Sequence, residues 1–204
     1  LQAAAGLAHI HRHGILHLDL KPENLGCPPE ERRLRILDFG LAQSARGPLD
    51  RKIRGTLAYV APEILLQDRY DQRADLYSLG MTLFELATGV LPSAGDELTA
   101  IRFQLEGRIP DPLSLCPEMP PALAGLIVRL LERDPGRRPP SAGRLLADLA
   151  ALAGRKLAPE ELGLGEGNVL ASRLVGREAA LGELHAALER AERGEGGALL
   201  VEGP

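Results

Sequence analysis

The chain has no tryptophan, three phenylalanines and three tyrosines among its 204 residues. With leucine, alanine, glycine, arginine and proline abundant, this scarcity of aromatics fits a GC-rich bacterial coding sequence. Cysteine is also rare. Cys27 and Cys116 lie far apart and form no CxxC or Cys/His pattern, which argues against a disulfide scaffold or a zinc site and fits a reducing compartment. Both are expected to be buried fillers. No apolar run reaches the ~18 residues that would span a bilayer, and the N-terminus carries no signal-peptide pattern. The expected location is cytoplasmic. A net charge of −4 and a pI near 5.8 give no overall basic field, so no nucleic-acid partner is evident. What is present is ordinary for a globular chain: an apolar fraction of 45%, with length for one or two domains.

Residues 1–12 carry apolar positions at Leu1, Ala4, Ala5, Ala8 and Ile10, close to a helical period, with Gly14 as a stop signal. Short apolar strands, Ile15-Leu16 and Leu34 to Leu37, flank two charged motifs, and PPEERR between them reads as a surface turn. Positions 73–87 are apolar on most faces (Ala74, Leu76, Leu79, Met81, Leu83, Phe84, Leu86), the pattern of a helix surrounded by core. Further helices are expected at 96–106, 121–132 and 141–152, separated by Gly/Pro-rich turns such as RIPDP and RDPGRRPP. Residues 153–172 weaken into a linker. After it, Leu181, Leu184, Leu188 and Ala191 mark an amphipathic helix, and Ala198 to Val201 an apolar strand ending in Glu202-Gly203-Pro204.

Three motifs stand in order: HLDLKPEN at 17–24, DFG at 38–40 and APE at 61–63. Phosphoryl transfer needs a group to orient the attacking hydroxyl, cations to screen the phosphates and ligands to hold those cations. These motifs contain that set of groups. Their order and spacing resemble the C-terminal lobe of the eukaryotic-like serine/threonine protein kinases, over residues 1–152. The resemblance implies an α+β fold whose mainly helical lobe lacks its N-terminal partner, because only sixteen residues precede His17. It also implies ATP and Mg²⁺ as cofactors and a protein as substrate. Asp19 would be the catalytic base, Lys21 would contact the transferred phosphate, and Asn24 and Asp38 would hold Mg²⁺. Positioned acid–base groups are worth about 10² to 10⁴ in rate, so loss of Asp19 should be close to fatal. A loop carboxylate that only caps backbone amides is the bland alternative. Lysine in KPEN favours Ser or Thr hydroxyls as acceptors.

Other matched positions are architectural under the same resemblance. His17 and Phe39 belong to a stacked internal spine. Glu63 pairs with a distant arginine, here Arg138 in DPGRRP, and removal of either partner should cost about 3 to 5 kcal/mol. Asp75 accepts hydrogen bonds from the catalytic-loop backbone, and Thr56 links the substrate loop to Asp19 and Lys21, with a plain turn hydroxyl as its alternative. Two departures stand out. Leu18 occupies the place of an arginine that pairs with an activation-loop phosphate, and Ser44, Thr56 and Tyr59 are the only hydroxyls between Asp38 and Glu63; the expectation is control by attached domains. Gly26 stands where a large apolar residue forms the floor under the adenine ring, forgoing about 1.5 to 3 kcal/mol of burial unless Leu25 or Cys27 fills the gap.

Several signals take the bland reading. His9, His11 and His13 resemble a metal run, but i,i+2 spacing on a helix sends successive side chains to different faces. Arg51, Lys52 and Arg54 read as a solvated charge run, and Glu23 carries no specificity assignment.

The tail from Leu174 through Val175-Gly176-Arg177-Glu178 resembles the opening of an AAA-type or signal-transduction ATPase domain over 173–204, with only the first glycine of a P-loop within the sequence. An extra helix closing the lobe is the alternative. The expected whole is a kinase fragment, inactive as isolated residues 1–204, from a multidomain signalling protein with a regulatory ATPase in the same parent chain. A pseudokinase module that controls the ATPase is the competing reading, and Leu18 and Gly26 support it.

Overall fold

The computed structural model describes residues 1–28, 30, 33–45, 56–93, 96–157 and 193. The chain divides into two units, 1–167 and 168–204. Of the second, only Arg193 lies within the described residues, so the expected ATPase opening and most of the linker fall outside them, as do Arg51, Lys52 and Arg54.

The described part is mainly helical. Helix α1 (Gln2–Arg12) buries Ala4, Leu7, Ala8 and Ile10 and is followed by Gly14 at φ 72°, a left-handed turn that glycine makes without steric cost. Strand β1 (Ile15–Leu16) pairs antiparallel with β4 (Gln43–Ser44), and β2 (Leu25–Gly26) with β3 (Arg35–Ile36). Sequence reading places β1 and the β3 region but misses β2 and β4, because two-residue strands leave too little alternation to detect. The first turns of α2 (Pro62–Leu65), α5 (Pro112–Leu115) and α6 (Pro121–Leu130) each contain proline, where the missing N–H removes no intrahelical bond.

Helix α3 (Arg73–Thr88) is the expected pillar. Every residue from Ala74 to Thr82 is buried, as is Phe84. Leu86 departs from the expectation and is 62% exposed. One side of α3 places Leu76 and Leu79 in a core shared with α1, α6 and α7 (Ala142–Leu152). Another side puts Ala74, Tyr77, Met81 and Phe84 against Tyr59, Met119 and Ile127. Helices α3 and α6 approach closely at Gly80, where a Cβ would lie 2.8 Å from that of Leu130. Helix α4 (Glu97–Glu106) is capped by Asp96, whose carboxylate accepts from the Thr99 amide.

The cysteines do not match the expectation of burial. Cys27 is exposed and Cys116 is half-buried. Cys27 directly follows strand β2. Among the described residues no helix is long and apolar enough to cross a membrane.

Candidate active site

The loop carrying HLDLKPEN leaves β1 and is held from beneath by α3. Asp75, fully buried in the first turn of α3, accepts from the backbone amides of His17 at 2.9 Å and Leu18 at 2.8 Å. His11 on α1 donates Nε2–H to the same carboxylate at 2.7 Å. Three donors on one carboxylate explain why a charge is tolerated in this core. They also explain the backbone above it. Leu18 has φ 65° and Asp38 φ 57°, left-handed conformations that cost an ordinary side chain roughly 1–2 kcal/mol each and persist only where surroundings enforce them. Asp75 supplies that enforcement at Leu18.

Beyond Leu18 the chain delivers Asp19 into a ring of donors. The Thr56 amide reaches Asp19 Oδ1 at 3.1 Å. Lys21 Nζ lies 3.3 Å from Oδ2 and donates to Thr56 Oγ1 at 2.8 Å. Asn24, buried at the end of a 3₁₀ turn over Pro22–Asn24, turns its amide nitrogen to the Asp19 carbonyl at 2.7 Å and to Oδ2 at 3.2 Å. That orientation leaves Asn24 Oδ1 as the atom available for a cation. The structure therefore brings Asp19, Lys21, Asn24 and Thr56 together, with the carboxylate oriented from three sides and the lysine head on the rim.

His17 ties this loop to the next motif. Its Nε2 donates to the Leu37 carbonyl at 2.9 Å, so Nδ1 is the acceptor facing the Asp19 amide, at 3.4 Å. The ring also meets Phe39 edge-on, with centroids 5.0 Å apart. His17 is buried, whereas Phe39 is 45% exposed, so only part of the expected spine residue is covered. Asp38, exposed, accepts from the Gly40 amide through Oδ1 at 3.0 Å. An Asn oxygen and an Asp carboxylate suit a hard cation such as Mg²⁺, which keeps several water or phosphate ligands besides one or two from protein. Among the described residues no group of three or more His, Cys, Asp or Glu could hold a metal ion.

Glu63 and Arg138 meet far from this mouth. Arg138 makes a two-pronged pair with Glu63 at 2.7 and 2.8 Å. Its remaining N–H groups go to the carbonyls of Glu132, Arg73 and Arg133. All five donors of the guanidinium are thus used, and the ring of Tyr77 lies 4.8 Å beneath it. Burial pushes the Tyr77 hydroxyl well above its usual range.

Sequence reasoning missed the anchors of the Thr56–Val60 segment. Ser93 Oγ and Gln104 Nε2 both donate to the Ala58 carbonyl, and Ser78 Oγ donates to that of Tyr59. Tyr59 donates its hydroxyl to Glu85; burial and then this contact push that hydroxyl well above the usual tyrosine range. Lone polar residues in helices give no sequence signal of such roles. His11 was hidden differently, inside an apparent histidine run. His9 and His13 do share a face, with ring centroids 4.5 Å apart, while His11 alone points inward to Asp75. Leu37 covers Gly26, with Cδ1 2.8 Å from where a Cβ would stand.

Comparison with known proteins agrees with this geometry. The family model of the protein kinase domain matches residues 1–148. The chain is 39% identical over 165 residues to the DNA damage-responsive serine/threonine-protein kinase RqkA of Deinococcus radiodurans, covering 76% of this chain and 24% of that protein. It is 35% identical over 172 residues to the serine/threonine-protein kinase PknL of Mycobacterium tuberculosis, covering 82% and 41%. Human serine/threonine-protein kinase ULK3 is 39% identical over 140 residues, covering 67% and 29%. The chain thus spans well under half the length of these relatives. With HLDLKPEN pinned by Asp75 and joined to the DFG segment through His17, and Glu63 of APE paired with Arg138, the chain belongs to the protein kinase family, among the serine/threonine kinases.

Proposed function

We propose that the full-length protein transfers the γ-phosphoryl group of Mg-ATP to serine or threonine hydroxyls of a protein substrate. The observation that carries this reading is the convergence of Thr56, Lys21 and Asn24 on Asp19. In this reading the acceptor hydroxyl hydrogen-bonds to Asp19. As its oxygen bonds to the γ-phosphorus, the bond from that phosphorus to the β–γ bridging oxygen breaks, ADP leaves and Asp19 receives the hydroxyl proton. Lys21 offsets charge on the moving group from the rim. Thr56 keeps both the carboxylate and the lysine in register. Magnesium, when bound, would screen the phosphate oxygens, and Asn24 Oδ1 with the Asp38 carboxylate would hold it.

Leu18 supplies no cation for an activation-loop phosphate, so regulation in this reading comes from attached domains rather than phosphorylation at Ser44. A change in activity on phosphorylation of Ser44 would overturn that part. The segment 173–204 is read as the opening of an ATPase domain on its VGRE sequence, with a GK[ST] beyond Pro204 as the deciding observation. The function is tested by phosphate transfer from labelled Mg-ATP to Ser/Thr in the full-length protein. Transfer supports a working kinase; nucleotide binding without transfer would favour the pseudokinase reading that Leu18 and Gly26 suggest.

A further inference from the structure

The last turn of α1 carries two histidines on one face. His9 and His13 stand four positions apart, and His13, the residue that ends the helix, keeps φ −83° and ψ 5°, so the i,i+4 relation that brings side chains together holds to the end. Their ring centroids lie 4.5 Å apart, with the planes inclined at 42°. The hydrogen bonding of each ring is informative. His13 Nδ1 meets the His9 carbonyl at 2.9 Å; a carbonyl only accepts, so in the neutral ring Nδ1 carries the proton and Nε2 keeps its lone pair. His9 Nε2 is covered and has no hydrogen-bond partner. Burial, then His13 and Arg12, hold the His9 pKa below 6.5, so this imidazole is mostly neutral at pH 7.

A histidine that donates one ring N–H to a backbone carbonyl has the arrangement usual for a metal ligand, since that bond fixes both tautomer and ring orientation. Two imidazoles that share one zinc ion at about 2.0–2.1 Å each have centroids about 4.5–5 Å apart, and this pair already stands at the near end of that range. We propose that His9 and His13 form a surface site for a divalent transition-metal ion of the kind imidazole favours, with Zn²⁺ as its reference, held between the two rings and completed by water. His11 takes no part, because it turns inward to Asp75. The charge of Arg12, which already lowers the His9 pKa, opposes a cation here. Two protein ligands beside that charge make an exchangeable site, unlike a structural zinc centre with four. The site is also distinct in chemistry from Asn24 and Asp38, whose oxygens suit a hard cation, and it does not depend on the kinase reading.

Isothermal titration of the full-length protein with ZnCl₂ at pH 7, in chelator-free buffer with excess Mg²⁺ to occupy oxygen sites, tests the proposal. The wild type should show a saturable Zn²⁺ event. His9→Gln and His13→Gln should each weaken it about tenfold or more, because losing a ligand costs at least the 10–100-fold that losing a ligand's outer partner does. Arg12→Gln, which removes the opposing charge and no ligand, should tighten it. Urea unfolding supplies a second readout: saturating Zn²⁺ should raise the midpoint of the wild type more than that of either histidine variant, since an ion that binds the folded helix stabilises it. No saturable Zn²⁺ event in the wild type, wild-type affinity in either histidine variant, or weaker binding in Arg12→Gln would each overturn the proposal, and would leave the assignment of Asp19 and Lys21 untouched.

Discussion

Two carboxylate–cation networks organise this lobe, and they are built oppositely. Glu63–Arg138 is almost sealed, with side-chain exposures of 7% and 0%, and every guanidinium donor is satisfied by the partner or by a carbonyl. Asp19–Lys21 is looser, at 10% and 23%, with the lysine shared between Asp19 and Thr56. The first joins APE to the segment after α6 and closes the fold. The second holds a carboxylate between three donors and shares its lysine between two acceptors. An isolated pair of the first kind contributes little net stability relative to an apolar replacement, yet breaking it strands a buried charge.

The comparison breaks first at Arg138. Arg138→Met should cost about 3–5 kcal/mol, because Glu63 is left buried and unpaired. Urea unfolding measures this, and a loss below 1 kcal/mol would mean that water reaches Glu63. Asp75 sharpens the contrast, since it is as buried as Glu63 but holds the loop that carries Asp19. Asp75→Asn loses the charge on three hydrogen bonds and should cost about 1.5–3 kcal/mol, together with a fall in phosphate transfer as Leu18 relaxes from its left-handed backbone. A stability loss with full transfer would show that Asp19 is positioned without it. The smallest effect lies outside both networks, at His9. Burial, then the neighbouring His13 and Arg12, hold its pKa below the ordinary 6.5. The unfolded chain then takes up that proton more readily, so the stability His9 contributes is present above that pH and lost as pH falls through it. After solvent screening the loss should be well under ~1 kcal/mol. Denaturant midpoints at pH 7 and 5.5 should drop less in His9→Gln than in the wild type.

Much of this was legible in the sequence because its signals are local. The helical periods of α1, α3, α6 and α7 follow from one face or many faces being apolar, and the motif residues of one loop sit together because eight consecutive positions carry them. What was illegible depends on partners far along the chain. His11 meets Asp75 across 64 positions, and Gln104 meets Ala58 across 46; side-chain type alone does not say which carbonyl or carboxylate a polar group will find. Leu37 was overlooked for the same reason, since it reaches Gly26 across the hairpin from eleven positions away. Cys27 was misjudged because burial tendency describes a residue type, while exposure depends on what covers the hairpin edge.

The most direct test of the central claim is phosphate transfer from γ-labelled Mg-ATP to protein Ser/Thr by the full-length protein, beside its Asp19→Asn variant, with both unfolding curves recorded. The account predicts transfer in the wild type, a fall of about 10² to 10⁴ in the variant, and unfolding midpoints that nearly coincide, because this network orients chemistry and does not close the fold. Transfer undiminished in Asp19→Asn, with the fold intact, would contradict it.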